Sequence, residues 1–273
     1  MLSVVLATFN EEKNIAQCLS SIQTIADEII VVDGSSTDNT VAIAKKHGAK
    51  VISTTNKKNF HINKQMAMDA ATGEVILQLD ADEWPDAELL TFIKKIHTQV
   101  TKSGYNFNKK GSTYSNQPVA WQLKRKNFFL GHYFKKGGQY PDPVIRLYIN
   151  GYASLPQKDV HEQMQVNGEI GWADGHLIHY ANPTFSDYLR KFNTYTQFKA
   201  LQLKEANTPV TFFKAVEYIV VKPLVTFFTL FVRHKGFVDG IPGFVFAVMS
   251  GLHHTVAFLM LWELMEIEKH AQK

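Results

Sequence analysis

The sequence predicts an α/β fold in which a mostly parallel sheet is flanked by helices, followed by an apolar helical extension at the C-terminus. Short β-branched apolar runs within the first 80 residues each end in polar or acidic side chains. Stretches with helical spacing lie between these runs, and such alternation is typical of a parallel sheet covered by helices. Beyond residue 205 the chain becomes rich in Phe, Val and Leu, which predicts the extension.

Three segments have the composition of buried strands, Ser3–Phe9, Glu28–Val32 and Val75–Leu79, and Ala49–Ser53 is a further strand candidate. Ile29–Val32 shows the pattern most clearly, because a strand covered on both faces is apolar along its whole length and not only at alternate positions. The first run is expected to be a core strand and not an export signal, since Asn10–Lys13 interrupts it and no basic segment precedes it.

Helices are predicted between these strands. Asn14–Ile25 carries apolar residues at the spacing of one helix face. Thr40–His47 follows a cluster of residues that favour helix N-termini, and it ends before Gly48, a residue type that commonly follows a helix. The segment from about Gly104 to Tyr180 lacks a long helical period and predicts short strands and functional loops. Helical spacing returns over Thr184–Leu203.

Two C-terminal segments, Val210–Val232 and Ile241–Trp262, approach the length of about 20 apolar residues that a bilayer crossing needs. Lys214, Glu217 and Lys222 lie inside the first segment, and charges at the centre of a span are costly. We therefore expect apolar or amphipathic helices that lie in a membrane interface or re-enter it, with Lys and Arg meeting anionic head groups. True spans, or an ordinary dimerisation or core surface, are the alternatives.

Composition argues against several classes of protein. The chain has 273 residues, of which 45% are hydrophobic and 20% charged, so it can bury a sizeable core and global disorder is not expected. Its net charge of +4 suits an enzyme that handles anionic diphosphates or lies on an anionic membrane, and no nucleic-acid partner is expected. A single cysteine, Cys18, excludes an internal disulfide and a cysteine zinc cluster, which suits a reducing cytoplasm.

Polar clusters follow three of the predicted strands: Thr8–Glu12, Asp33–Asp38 and Asp80–Glu83. Ligands of open α/β sheets bind beyond the carboxyl ends of the strands, so these clusters are expected to converge. Asp80 and Asp82 are two residues apart on an extended backbone and can reach one hard divalent cation and a neighbouring ribose together. Such a Mg²⁺ or Mn²⁺ ion would neutralise the charge that grows on a departing diphosphate.

A family resemblance rests on five segments: Ser3–Glu12, Val31–Asp38, Lys64–Ala67, Ala71–Glu74 and Leu79–Glu83. Together they resemble glycosyltransferase family 2, the inverting enzymes of the GT-A fold. Four later segments are similar to the branch that adds glucose to the lipopolysaccharide core: Gly137–Asp142, Arg146-Leu147, Val160–Glu162 and His179-Tyr180. About residues 1–200 are covered. The branch commonly has a tryptophan where this chain has Gln139, which leaves the acceptor sugar open.

The resemblance implies a GT-A type, Rossmann-like domain over residues 1–205, with a nucleotide-sugar-binding half (1–103) and an acceptor half (104–205). Residues 206–273 would form the membrane-associating tail. Asp33 would accept a hydrogen bond from the nucleotide base, usually uracil. Asp80 would contact the ribose or the sugar, and Asp82 would hold the divalent cation.

Other side chains would surround the nucleotide sugar. Thr8, Asn10 and Glu11 would frame the base and the ribose, and Lys64 would lie near the diphosphate or the donor sugar. Lys64 and Arg146 are also candidates to clamp phosphates, with a surface salt bridge as the alternative for each.

An acceptor hydroxyl is a poor nucleophile near neutral pH, so a positioned carboxylate must take its proton as the new C–O bond forms. The resemblance implies that Glu162 is this base. The adjacent His161, another base such as Asp142, or a structural role for Glu162 are the alternatives. For His176 and His179, hydrogen bonding within the fold is favoured over binding of a metal or phosphate.

The sequence thus predicts a hexosyltransferase at the cytoplasmic face of the inner membrane, peripheral or re-entrant. It would move a hexose, with glucose from UDP-glucose as the first candidate, to a lipopolysaccharide-core or lipid-linked glycan. An alternative acceptor is polyprenyl phosphate or a capsule or exopolysaccharide intermediate. The non-enzyme alternative is a membrane-bound nucleotide-sugar sensor or scaffold. A nucleotidyltransferase is disfavoured by the acidic residues after the first strand, and a dehydrogenase by the lack of G-x-G-x-x-G there.

Overall fold

The structure is a computed structural model that describes residues 1–57, 59–102, 117–156 and 163–271. Strands and helices alternate over the first hundred residues in this order: β1 (Leu2–Thr8), α1 (Ile15–Ile22), β2 (Glu28–Asp33), α2 (Thr40–Lys46), β3 (Lys50–Ser53), α3 (His61–Asp69), β4 (Val75–Leu79), β5 (Glu83–Pro85) and α4 (Ala87–Lys102).

Strands dominate the next part, and helices dominate the last. The strands are β6 (Ala120–Phe129), β7 (His132-Tyr133), β8 (Pro143–Ile149), β9 (Ala153-Ser154), β10 (Gln165-Val166) and β11 (Ile170–Asn182). The helices are α5 (Phe185–Glu205), α6 (Phe212–Val216), α7 (Lys222–Phe228) and α8 (Gly240–Ala271). One π-helical turn, Glu217–Val221, joins α6 to α7, and a second, Thr229–Arg233, extends α7, which gives one helix over Phe212–Arg233, called α6–α7 below.

Nine of the described strands form one sheet in the order β3-β2-β1-β4-β8-β6-β11-β5, with β7 paired to β6. The first four strands in this order are parallel, whereas β8 runs antiparallel to both β4 and β6. The predicted α/β class is confirmed, and each of the four predicted strands is present within one or two residues of its expected ends.

Three of the parallel strands, β1, β2 and β4, are largely buried, as their continuous apolarity predicts, whereas the edge strand β3 is partly exposed. All five residues of β4 are buried, and α1 contributes its predicted apolar face to the same core. Cys18 lies in this core, where burial raises the pKa of its thiol well above the usual range. The one polar residue of β4, Gln78, is fully buried and therefore needs a partner inside the protein.

Two elements of the middle segment differ from the prediction of short strands. β6 has 10 residues and β11 has 13. In both strands buried side chains alternate with more exposed ones over part of the length. A strand with one covered face carries polar residues at every second position, so its composition resembles that of a loop. That is why apolar content alone missed these strands.

The described chain divides into two compact units. Unit 1 comprises Met1–Arg125 and Asp142–His179, and unit 2 comprises Lys126–Pro141 and Tyr180–Lys273. The predicted domain boundary near residue 205 does not coincide with this division and stays a prediction.

Unit 2 contains two helices that are long and apolar enough to cross a membrane by length and composition alone, Phe212–Arg233 and Gly236–His270. They match the two predicted apolar segments. Apolar side chains lie on all sides of α8, with Ile241 and Trp262 exposed and Phe258 buried. The amphipathic pattern predicted for these segments is therefore absent from α8, and α6–α7 exposes apolar side chains along its length.

Glu28 in β2 links three segments of unit 1, because its carboxylate accepts hydrogen bonds from the Ser3 hydroxyl (2.6 Å) and from the backbone N–H (3.0 Å) and hydroxyl of Thr72. Burial opposes ionisation, but these donors outweigh it and lower the pKa of Glu28. A carboxyl whose pKa is lowered by folding stabilises the folded state at pH values above its pKa in the unfolded chain. This stabilisation is lost as the pH falls through its pKa in the folded state. We expect Glu28→Gln to cost about 1 kcal/mol at pH 7 and little at pH 3.

Urea unfolding at both pH values measures this difference. The control is Glu169→Gln, since Glu169 is an exposed glutamate of the same unit, and it should leave stability unchanged at either pH. An equal loss of stability for Glu28→Gln at pH 7 and pH 3 would contradict the ionised hydrogen bonds.

Candidate active site at the carboxyl edge of the sheet

Strand register brings the three polar clusters to one edge of the sheet. Thr8 at the end of β1 pairs with Asp33 at the end of β2. Leu6 of β1 pairs with Leu79 of β4, so the Asp80–Glu83 turn begins at the same edge. This arrangement follows from the parallel strands, whose carboxyl ends lie on one side.

The Asp80–Glu83 turn is closed by two reciprocal hydrogen bonds. The backbone N–H of Glu83 donates to the carbonyl of Asp80, and the backbone N–H of Asp80 donates to the Glu83 carboxylate, each at 3.0 Å. Glu83 is fully buried. In the sequence Glu83 is only one member of the acidic cluster, yet its carboxylate fixes the turn that presents Asp80 and Asp82.

Asp80 is held by two basic side chains that come from distant parts of the chain. Lys64 Nζ of α3 lies 2.5 Å from Asp80 Oδ1, and Arg146 Nη2 of β8 lies 2.6 Å from Asp80 Oδ2. Burial opposes the charge on Asp80, but Arg146 and Lys64 outweigh burial and hold the pKa of this carboxyl well below its usual range. Asp80 is therefore ionised at neutral pH.

Arg146 is the centre of a buried polar network. Its guanidinium also donates to the Glu83 carboxylate (3.1 Å) and to the side-chain oxygen of Gln78, the polar residue of β4. Burial would favour the neutral form of Arg146, yet Asp80 and Glu83 raise its pKa. A surface salt bridge, the alternative considered for Arg146 and Lys64, is wrong for both because both side chains are buried. Their predicted contacts with phosphate stay predictions.

Asp82 lies beside a histidine of unit 1. Its Oδ2 is 3.6 Å from Nε2 of His179, which β11 places opposite Glu83 of β5. The sequence favours a hydrogen bond within the fold for both His176 and His179. For His176 this is confirmed, since its Nδ1 lies 3.0 Å from Asp86 Oδ2. Nothing in the sequence near Asp82 indicates its proximity to His179.

The donor atoms at this edge fit a divalent cation whose coordination shell is completed by the substrate. No group of three His, Cys, Asp or Glu side chains that could hold a metal occurs among the residues described. A Mg²⁺ or Mn²⁺ site in a nucleotide enzyme, however, uses one or two protein donors and takes its other ligands from phosphate and water. Asp82 and His179 supply one carboxylate and one imidazole, whereas both oxygens of Asp80 already contact cationic side chains.

Asp33 is buried at the end of β2 and is partly engaged inside the protein. It accepts hydrogen bonds from the Thr8 hydroxyl (3.2 Å) and from the backbone N–H (2.8 Å) and hydroxyl (2.6 Å) of Ser36. An ionised carboxylate has about four acceptor positions, so these three bonds leave capacity for a ligand donor. Its predicted bond to a nucleotide base stays a prediction.

Asn10 and Glu11 connect the loop after β1 to the loop after β2. The backbone N–H of Asn10 donates to the Ser36 hydroxyl, and its side-chain oxygen accepts from the backbone N–H of Thr37, both at 2.8 Å. The backbone N–H of Glu11 donates to the Thr40 hydroxyl at 2.7 Å. These bonds fix the two loops relative to each other, which is a prerequisite for framing a base and a ribose.

Three residues are candidates for the general base: Glu162, His161 and Asp142. Glu162 and His161 lie outside the described residues. Asp142 is bound by Arg125, whose Nε and Nη2 lie 2.9 Å and 2.8 Å from Asp142 Oδ2, and Arg125 also reaches Glu83 at 3.3 Å. A carboxylate held in this way is less available to a substrate hydroxyl.

The sequence model of glycosyl transferase family 2 matches residues 3–161. An uncharacterized glycosyltransferase of Rickettsia typhi is 28% identical over 97% of this chain and 87% of its own length. The lipopolysaccharide core biosynthesis glycosyltransferase LpsC of Rhizobium meliloti is 25% identical over 100% of this chain and 94% of its own length.

Among solved structures, S. aureus TarS 1-349 in complex with UDP-GlcNAc is similar with a TM-score of 0.46 at 18% identity. The similarity covers 93% of this chain and 81% of that chain. Likeness at this level bears on neither the ligands nor the metal of this chain.

Proposed function

This chain belongs to glycosyl transferase family 2, and on that premise we propose that it moves a hexose from a UDP-sugar to a lipopolysaccharide-core or other lipid-linked glycan. The observation that carries the proposal is the polar network at the carboxyl edge of β1, β2 and β4. It combines two buried cationic side chains, Lys64 and Arg146, with ionised Asp80. LpsC, named for lipopolysaccharide core biosynthesis and aligned along the whole chain, supports this class of acceptor.

Candidate contacts exist for both the nucleoside and the sugar diphosphate of the donor. Asp33 keeps acceptor capacity for an N–H of the base, and the cross-linked loops around Thr8, Asn10 and Glu11 frame the base and the ribose. Lys64 lies near the diphosphate or the donor sugar, and Asp80, which Lys64 holds in place, accepts from a ribose or sugar hydroxyl.

Asp82 and His179 are the residues we propose to hold a Mg²⁺ or Mn²⁺ ion. When bound, such an ion would act as a Lewis acid on the departing diphosphate. Lys64 and Arg146 cannot supply the same effect alone, because Asp80 and Glu83 already neutralise their charge.

Glu162 is proposed to take the proton of the acceptor hydroxyl as the new glycosidic bond forms at the anomeric carbon. A single in-line displacement exchanges the diphosphate for the acceptor oxygen and inverts the anomeric configuration. The proposed placement of the enzyme is the cytoplasmic face of the inner membrane, since an acceptor anchored in a lipid leaflet requires an enzyme close to that leaflet. The two apolar helices of unit 2 support this placement.

The donor and the metal can be tested in one experiment. We expect UDP-glucose with Mn²⁺ to raise the apparent stability of the purified chain by about 2.7 kcal/mol at 100 times the dissociation constant. Part of this gain should depend on Mn²⁺. We expect Asp82→Asn to raise the Mn²⁺ concentration needed for that part at least about tenfold, because one of the two protein donors to the ion is lost. Thermal unfolding over a panel of nucleotide sugars measures both effects.

Asp174→Asn is the matched control, because Asp174 is an exposed aspartate of β11 in the same unit and should leave the Mn²⁺ response intact. A full Mn²⁺ response in Asp82→Asn would show that the metal assignment is wrong. If no nucleotide sugar shifted the unfolding temperature of the unaltered chain, the donor proposal would fail as well.

A further inference from the structure

The helices of unit 2 lie side by side over most of their length. Phe192 of α5 contacts His253 of α8 with ring centroids 5.8 Å apart, and further along the same two helices Lys204 pairs with Glu268. The stretch of α5 between these contacts is about 18 Å long. On α6–α7, Tyr218 stacks on Phe258 of α8 at 5.2 Å. A bilayer crossing by α6–α7 and α8 would therefore take α5 into the membrane with them.

α5 exposes too many polar side chains to lie in the hydrocarbon core of a bilayer. Its exposed side chains include a set of charged and amide groups along the stretch beside α8: Arg190, Asn193, Gln197, Gln202 and Glu205. Exposed charges and amides in the centre of a bilayer would find no hydrogen-bond partners and are strongly disfavoured. A transmembrane pair of helices thus conflicts with the packing of unit 2, although each helix alone passes the length and composition test.

α6–α7 has an apolar face that the described protein leaves uncovered. In its most apolar 18-residue window only 6% is buried, against 28% for α8. Large exposed apolar side chains run along the whole helix: Phe212, Phe213, Val216, Ile219, Val220, Val221, Leu224, Val225, Phe228 and Val232. Three of the four charges within this helix neutralise one another in part, since Lys214 and Lys222 both pair with Glu217, at 2.7 Å and 2.9 Å.

A cluster of basic residues lies where α6–α7 turns towards α8. Arg233 and Lys235 are exposed at this turn, and Lys135 and Lys136 are exposed on the loop after β7. None of these four side chains has an ion-pair partner within the described ranges 1–57, 59–102, 117–156 and 163–271. We call them the basic turn. An uncompensated basic cluster beside an apolar face is complementary to an anionic lipid surface.

Buried Asp239 holds the basic turn together. Its carboxylate accepts hydrogen bonds from the backbone N–H groups of Lys135 (2.7 Å) and Lys136 (2.9 Å), and it lies 2.9 Å from Nε2 of His132. The backbone N–H of Gly137 donates to the carbonyl of His234 at 2.9 Å. The loop after β7 and the turn between the helices are therefore one fixed structure, and the four cations belong to one surface.

We propose that unit 2 docks on one leaflet of an anionic bilayer without crossing it, with the apolar face of α6–α7 in the interface and the basic turn on the lipid phosphates. This inference deepens the membrane placement in the proposed function and rests on it. Both ends of α6–α7 then lie on the same side of the membrane, whereas a spanning helix would place them on opposite sides.

Cysteine labelling of the full chain tests the topology. Ala206→Cys and Val238→Cys place one exposed thiol at each end of α6–α7. Cys18, the only native cysteine, is replaced by alanine in both variants. With a membrane-impermeant maleimide on spheroplasts, we expect both positions to react only after lysis. Reaction of one position in intact spheroplasts and of the other only after lysis would show a spanning helix and overturn the proposal.

Vesicle binding tests the lipid chemistry. For the purified full chain on vesicles with 30% phosphatidylglycerol, we expect Arg233→Gln with Lys235→Gln to weaken binding about 25-fold, that is ~5-fold for each charge. Arg190→Gln on α5 is the control and should bind as the unaltered chain does. Phe228→Ser should weaken binding at least about tenfold on both anionic and pure phosphatidylcholine vesicles.

Three outcomes would overturn the docking surface. Equal binding to anionic and zwitterionic vesicles would show that the basic turn does not contact lipid phosphates. Self-association of the full chain that Phe228→Ser abolishes, without any vesicle binding, would assign the apolar face to a second copy of the chain. A chain that binds no vesicles yet retains sugar transfer to a soluble acceptor would refute docking and leave the glycosyltransferase function standing.

Discussion

Replacing Arg146 with alanine is expected to destabilise unit 1 by about 3–5 kcal/mol. Three buried or partly buried acceptors depend on its guanidinium, namely Gln78, Asp80 and Glu83. Removing one member of a buried charge network leaves the other charges less well compensated, since Asp80 keeps only Lys64 and Glu83 keeps only Arg125 at 3.3 Å, and this costs more than the network itself contributes to stability. Denaturant unfolding of the purified variant measures the change, and donor affinity should fall with it because Asp80 and the turn to Asp82 lose their support.

Arg146→Lys and Arg190→Ala separate the possible causes. Lysine keeps the charge but cannot donate to Gln78, Asp80 and Glu83 in one plane, so we expect intermediate stability. Arg190 pairs with Asp187 at the surface, with its side chain 74% exposed, and its removal should cost no more than about 0.5 kcal/mol. If Arg146→Ala were as mild as Arg190→Ala, the buried network would have no central role.

Replacing Glu162 with glutamine is expected to lower kcat by about 10²- to 10⁴-fold while donor binding is retained. Glutamine has nearly the same shape but cannot take a proton from the acceptor hydroxyl, so only the transfer step is affected. Steady-state kinetics with saturating donor give kcat, and thermal shift with the nucleotide sugar reports donor binding independently.

Matched variants distinguish Glu162 from the alternative bases. Glu169→Gln makes the same chemical change at an exposed glutamate of the same unit and should leave kcat unaltered. His161→Asn should be mild if Glu162 is the base. A nearly inactive Asp142→Asn beside a fully active Glu162→Gln would transfer the role to Asp142, despite its contacts with Arg125.

The local pattern of the sequence was sufficient for the parallel half of the fold. Strands buried on both faces are continuously apolar, and helices between them repeat apolar residues at one-face spacing, so β1 to β4 and the connecting α1 and α2 could be predicted from short windows. Because parallel strands end on one side, the position of Asp33 and Asp80 at a common edge followed without knowledge of any long-range contact.

Long-range pairing decided the rest of the candidate site. Arg146 reaches Asp80 across 66 residues of sequence, and His179 reaches Asp82 only because β11 pairs with β5. No periodicity within either segment encodes which distant strand lies beside it. Gln78 gave a local signal, since an amide inside an apolar strand requires a buried partner, but the identity of that partner depended on the register of β8 beside β4.

The same distinction holds for the C-terminal helices. Their apolar composition determined that they are helices with an affinity for apolar surroundings, and by length alone they could cross a bilayer. The proposal that they dock on a bilayer without crossing it rests on the packing of α5 against α8 and on the hydrogen bonds of Asp239 to the loop after β7. Composition fixes what a segment can be buried in, whereas tertiary contacts fix which of its faces remain free to be buried.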